Sequence, residues 1–142
     1  QMAMVASAIA NGGTLMTPYL VQTVRTANLD VVSEAEPTEL SQAVSGTTAQ
    51  QLTDMMVGVV QSGSGTSAQI AGVQVAGKTG TAQTGVEGES PHAWFTGFAP
   101  ADSPQVAVAV IVENGGSVGS EATGGRVAAP VARAVMEAVI DR

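Results

Sequence analysis

Gly77-Lys78-Thr79-Gly80-Thr81 lies between an alternating run, Val73-Gln74-Val75-Ala76, and the polar Ala82-Gln83-Thr84. Alternation of apolar and polar residues marks a strand. The five residues therefore read as part of an extended segment, not as a loop that opens a helix. The distinction matters because Gly72 to Thr79 also fits the phosphate-binding pattern G-x-x-x-x-G-K-[ST] letter for letter. That pattern works when glycine-rich amides curl round the phosphates and the next residues start a helix. Here the middle letters are Val73, Gln74, Val75 and Ala76, which favour extension, and Gly80 to Gly85 starts no helix. Asp102, between Pro100 and Pro104, sits in a turn rather than on a strand where it would serve magnesium. The nucleotide reading is rejected on these grounds.

As a strand, the stretch has a period of two. Lys78 and Gly80 share one side, Thr79 and Thr81 the other. Two hydroxyls beside one ammonium suit an anion, a carboxylate in particular, and each hydrogen bond to a charged group contributes roughly 1.5–3 kcal/mol. Gly80 leaves room for backbone or substrate to come close. A strand lining a cleft can also pair with an extended peptide. The residues alone leave two readings open: a site for a peptide bearing a carboxylate, or a plain strand with an exposed lysine and two hydroxyls.

Around this stretch, Val73 to Gln83, Ala93 to Phe98 and Gln105 to Glu113 are three strand candidates joined by short links. A parallel return needs a crossover of a dozen or more residues, so the three are expected to form an antiparallel meander. Val106 to Val112 is almost wholly apolar, which predicts cover on both faces. Thr47 to Gln61 reads as a helix, with Thr48 and Gln51 as a capping box. Its expected core stripe is Leu52, Met55, Met56 and Val59, widened by Val60. Met2, Val5 and Ile9 have helical spacing before a stop at Asn11-Gly12-Gly13. Tyr19 to Thr26 alternates and can fold back through Ala27 to Asp30 onto Val31-Val32; Ser33 to Pro37 reads as an acidic loop. A last helix starts near Pro130 and runs to about Ile140, with Val131, Ala132, Val135 and Val139 as its apolar face. The fold class is α+β: an antiparallel sheet flanked by helices. Trp94, Phe95 and Phe98 are expected in the core, and Thr84 to Pro91 as a mobile rim loop. Glu113 to Gly116 is expected to end the last strand. His92, the single histidine, falls at a strand start and reads as a structural or rim residue.

The chain has 142 residues, enough for one domain, and a net charge of −7. With no basic run, it does not suit nucleic acid. No apolar run approaches the roughly 20 residues of a membrane helix, and no signal-peptide pattern is present. Cysteine is absent, which excludes disulfides and thiolate zinc sites. Gln1 to Ala10 reads as the middle of a helix, so the chain is expected to be a piece of a longer protein.

Lys78-Thr79-Gly80-Thr81 on a strand resembles the third motif of penicillin-binding proteins and serine β-lactamases. The resemblance extends over nearly the whole chain. Gln1 to Ala6 with Ile9 to Gly13 is similar to the helix that follows the active-site motifs of class B penicillin-binding proteins. Thr66 and Ile70 to Val73 resemble the approach to the motif strand, His92 to Pro100 the strand beside it, and Val108 to Asn114 with Ala128-Ala129-Pro130 the last strand and helix. The likeness is to the class B transpeptidases of actinobacterial type.

The resemblance implies that residues 1–142 form the C-terminal part of one transpeptidase domain. It implies a serine D,D-transpeptidase that cross-links peptidoglycan stem peptides ending in D-Ala-D-Ala, is acylated by β-lactams, uses no cofactor or metal, and works on the outer face of the cell membrane. An upstream membrane anchor and cell-wall synthesis or divisome proteins would be its partners. Lys78 would supply positive potential and a hydrogen bond to a serine of an S-x-N motif. Thr79 and Thr81 hydroxyls would hold the substrate carboxylate, the Thr81 N–H would serve the oxyanion hole, and Gly80 would give the peptide room. The nucleophile's S-x-x-K motif and the S-x-N motif find no match here. Ser7-Ala8-Ile9-Ala10 lacks the lysine, and Ser64-Gly65-Thr66 ends in threonine. Both are expected upstream, so the chain alone should not catalyse. The alternatives are a D,D-carboxypeptidase or β-lactamase of the same fold, or a β-lactam sensor or scaffold without catalysis.

Overall fold

The computed structural model describes residues 1–140. In chain order it contains α1 (Met2–Ala10), β1 (Thr14–Met16), β2 (Thr23–Arg25), β3 (Val31–Glu34), β4 (Glu39–Gln42), α2 (Gly46–Ser62), β5 (Ala76–Ala82), β6 (His92–Ala99), β7 (Val106–Val112) and α3 (Ala129–Ile140). The last three strands form the expected antiparallel meander, β5-β6-β7. Its register runs unbroken from Ala76 opposite Phe98 to Ala82 opposite His92, and from Ala93 opposite Val112 to Ala99 opposite Val106.

That register sorts the side chains onto two faces. Phe95 and Val108 face α3, where they pack with Ala128, Ala129, Ala132 and Met136. Ala76 and Phe98 face the other way, onto Met56 and Val57 of α2, with Ile9, Ala10 and Ala107 at the margin. Helices thus cover the sheet on both sides. β7 meets α1 on one face and α3 on the other, as its apolar run predicts, although in it only Val108 is buried and Ile111 stays exposed.

Several boundaries differ from the sequence reading. α2 is capped by Ser45, whose hydroxyl accepts from the Thr48 N–H at 3.1 Å. The capping residue is three positions before Thr48, and serine supplies the acceptor equally well. The buried stripe of α2 is Ala49, Thr53, Met56, Val57 and Val60. Met55 points outward, because Ala49 and Thr53 make the closer i, i+4 seam; Thr53 satisfies its hydroxyl on the Ala49 carbonyl at 2.9 Å. In α3 the seam is Ala129, Ala132 and Met136. Of the expected face only Ala132 is buried, and Val131, Val135 and Val139 are exposed. Small alanines let the helix lie close to the sheet, and the valine stripe falls on its far side.

The hairpin is present as β2 paired with β3, but β2 covers only Thr23 to Arg25, and β3 continues to Glu34 where a loop is expected. A further pair, β1 with β4, is absent from the sequence reading. Thr14 and Gln42 sit opposite each other there, and the Thr14 hydroxyl donates to Gln42 Oε1 at 3.0 Å. β4 is four exposed residues without an apolar face, so no alternation betrays it.

Candidate functional site

β5 is an edge strand of the meander. Its first residues, Ala76 and Gly77, are buried, whereas Lys78, Thr81 and Ala82 are exposed and Thr79 and Gly80 half-buried between them. No helix follows it: Gln83 to Pro91 is a loop that leads into β6. The phosphate-loop geometry is therefore absent, and the extended reading of the motif holds.

Lys78 lies opposite Thr96, Thr79 opposite Phe95, Gly80 opposite Trp94 and Thr81 opposite Ala93. The Lys78 and Gly80 face borders a cavity of about 390 Å³ lined by Met2, Lys78, Thr79, Gly80, Trp94 and Thr96. Trp94 is half-buried there, beside the motif, rather than in the core with Phe95 and Phe98. Strand alternation puts Trp94 on the face opposite to Phe95, where it lines the cavity beside Gly80. Next to this cavity an apolar groove of about 410 Å³ runs between α1 and α2, past Val5, Ile9, Leu52, Met55, Lys78 and Thr96.

Lys78 is the only lysine in the sequence. Its ammonium donates to the Thr79 carbonyl at 2.6 Å. Among the described residues it has no carboxylate partner. Its positive charge is thus uncompensated at the open end of the strand, in a chain whose net charge is negative. The Thr79 hydroxyl is not free: it shares a 2.6 Å hydrogen bond with the Ser64 hydroxyl. Thr81 is exposed. The structure therefore brings Lys78, Thr79, Gly80 and Thr81 together on one open edge, with Thr79 tied to a partner that the motif does not predict.

Backbone support comes from behind. Gly124 and Gly125 open a wide helical turn, Gly124–Ala128, that leads into α3. A methyl on Gly124 would lie 2.8 Å from the Gly80 carbonyl oxygen and 2.9 Å from the Gly80 nitrogen. Side chains do not come that close to backbone, so only glycine lets this turn lie flat on the strand. The close approach expected at Gly80 is thus made in part by the chain's own Gly124. On the other side of Gly80, the nearest atom to a methyl is Trp94 Cβ at 3.3 Å. At Gly77 a methyl would meet the Phe95 ring, with Cε2 at 2.9 Å.

His92 has a structural partner: its Nδ1 accepts from the Asn114 N–H at 3.0 Å. That bond joins the start of β6 to the turn after β7, where Asn114 has φ 50°. Thr84 to Pro91 forms a loop that is exposed from Gly85 to Glu89 and buried at Pro91, with Gly85 and Gly88 at positive φ. Ser64 and the Gly124-Gly125 pair escaped the sequence reading. Ser64 enters that reading only through Ser64-Gly65-Thr66, which lacks the asparagine of an S-x-N motif, and Gly124-Gly125 does not enter it. The spacing of 15 residues between Ser64 and Thr79 carries no local signal.

Residues 1–137 match the family model of the penicillin-binding protein transpeptidase domain. The chain is 48% identical over 142 residues to the peptidoglycan D,D-transpeptidase PbpA of Mycolicibacterium smegmatis, covering 99% of this chain and 28% of the relative. It is 47% identical to PbpA of Mycobacterium tuberculosis, covering 96% of this chain and 28% of that one. The solved structure of penicillin-binding protein A from M. tuberculosis, as a ceftriaxone acyl-enzyme, superposes with a TM-score of 0.91 at 46% identity, over 97% of this chain and 31% of the other. The chain thus spans about 28% of the length of these curated relatives. The fold agrees with that of the matched structure, and the chain belongs to the penicillin-binding protein transpeptidase domain family.

Proposed function

We propose that this chain supplies the substrate-gripping strand of a serine D,D-transpeptidase that cross-links peptidoglycan. The reaction has two halves. A serine oxygen attacks the carbonyl of the penultimate D-Ala, the peptide C–N bond breaks, and D-Ala leaves with a proton on its nitrogen. An amine of a second stem peptide then attacks the ester and releases the serine. β-Lactams enter the first half as donors. In this reading residues 1–142 are the C-terminal part of a single transpeptidase domain. The remaining part of the protein carries the S-x-x-K serine, the S-x-N serine and a membrane anchor, and places the domain outside the cytoplasmic membrane among cell-wall synthesis proteins. Among the described residues no helix is long and apolar enough to cross a membrane. The apolar groove between α1 and α2, which opens beside Lys78, receives that remaining part.

The observation that carries the proposal is the open edge of β5, with an uncompensated Lys78 and the Thr79 and Thr81 hydroxyls along it. An extended peptide lies along such an edge by strand pairing. Its terminal carboxylate meets Thr79 and Thr81, and Lys78 stabilises it and hydrogen-bonds the S-x-N serine. The Thr81 N–H is one of two oxyanion donors; removing one such donor typically lowers the rate by ~10²–10³. Gly80 keeps the strand clear for the donor peptide. The relatives named above as D,D-transpeptidases support the same assignment. The test is Lys78→Ala in the intact protein, with a fluorescent penicillin as probe. Acylation should vanish on the time scale in which the wild type labels fully; wild-type labelling in the variant would refute the assignment.

A further inference from the structure

The hydrogen bond between Ser64 and Thr79 has a direction that matters. Each hydroxyl has one proton to donate and lone pairs to accept. Among the described residues, each has only the other as side-chain partner. If Thr79 donates to Ser64, its oxygen turns lone pairs to the open edge, where they repel an anion. If Ser64 donates to Thr79, the Thr79 proton is left to point along the edge. Only the second arrangement lets Thr79 bind a carboxylate.

Ser64 is well held for this task. The glycines on either side of it, Gly63 and Gly65, both donate their N–H to the Val59 carbonyl, at 3.1 and 3.0 Å, which ties the loop to the last turn of α2. On its other side the backbone of Gly125 lies so close to the Ser64 carbonyl that a methyl on Gly125 would overlap it, while remaining 3.8 Å from Thr79 Cγ2. Three segments therefore meet behind Thr79: the end of α2, the turn before α3, and β5 itself.

We propose that Ser64 is a positioning residue for substrate recognition: it donates to Thr79 Oγ1 and so aims the Thr79 hydroxyl proton at the carboxylate of the donor peptide or β-lactam. The proposal rests on the role given to Thr79 under the transpeptidase reading. It adds that discrimination for a negatively charged ligand depends on a side chain outside the Lys78-Thr79-Gly80-Thr81 motif.

The experiment compares acylation of the intact protein by benzylpenicillin and by its uncharged methyl ester, as second-order rate constants. The wild type should prefer the acid. In Ser64→Ala the ratio of acid to ester rates should fall roughly ten-fold, in line with weakening one hydrogen bond to a charged group. Ser64→Thr, which keeps the hydroxyl, should restore the ratio. A merely structural role would slow both compounds together and leave the ratio intact, and that result overturns the proposal. So does an unchanged acid rate in Ser64→Ala. A wild type that reacts with neither compound would overturn the transpeptidase reading, and this assignment with it.

Discussion

Gly124 shows how a residue without chemistry can govern one. It touches no substrate in the proposed function, yet its bare Cα faces the Gly80 peptide, against which any side chain would collide. The collision would fall on both strands at once, because the Trp94 carbonyl of β6, opposite Gly80, lies closer still to that position. Gly124→Ala in the intact protein is therefore expected to displace Gly80 and Thr81 and lower penicillin acylation by ~10² or more, on the scale of a lost oxyanion donor. Stopped-flow or gel-based labelling reads this directly, and acylation at the wild-type rate would show that the turn does not support the strand. Phe95 makes the complementary case. It is fully buried between β5 and α3, so Phe95→Ala should destabilise the domain by about 3–5 kcal/mol. A melting temperature within a degree or so of wild type would contradict that. The motif residues were legible because period-two spacing fixes which side chains share a face. Ser64 and Gly124 were not, because their relation to Thr79 and Gly80 exists only once distant segments fold together.

At the scale of elements, α2 offers two independent checks. Gly58 sits in its interior, exposed, and a methyl there meets nothing within 4 Å. Gly58→Ala should raise stability by up to about 1 kcal/mol by lowering the entropy lost in forming the helix. Ser45→Ala removes the cap acceptor for the Thr48 N–H and should cost about 1 kcal/mol. Thermal unfolding of the intact protein measures both, and opposite signs would mean that the helix does not begin and run as described. The helix itself was plain from its spacing, but its buried stripe was not. Counting large apolar residues favoured Met55 over Thr53, whereas the buried stripe joins Met56 to the small and branched residues Ala49, Thr53, Val57 and Val60. The same bias placed the valines of α3 on its buried face. β1 and β4 left no trace because strands of three and four residues are too short to show a period, and β4 is wholly exposed. The meander was legible for the opposite reason: two short links between apolar runs leave little choice but antiparallel pairing.

For the whole molecule, the sheet serves as a platform with helices on both faces and one working edge. The chain spans about 28% of the length of its curated relatives, so the proposed activity belongs to the intact protein. A transpeptidase, a carboxypeptidase and a β-lactamase share the acylation half and differ in what resolves the acyl-enzyme. The transpeptidase reading predicts a penicilloyl-enzyme that lasts hours, against under about a second for an efficient β-lactamase, a difference of several kcal/mol in the deacylation barrier. The most direct measurement is a crystal structure of the intact protein acylated by a penicillin. It should show the ligand lying along β5, its carboxylate within about 2.7–3.2 Å of the Thr79 and Thr81 hydroxyls and its carbonyl oxygen on the Thr81 N–H. A ligand bound with its carboxylate away from β5, or with that edge covered by another strand, would contradict the account.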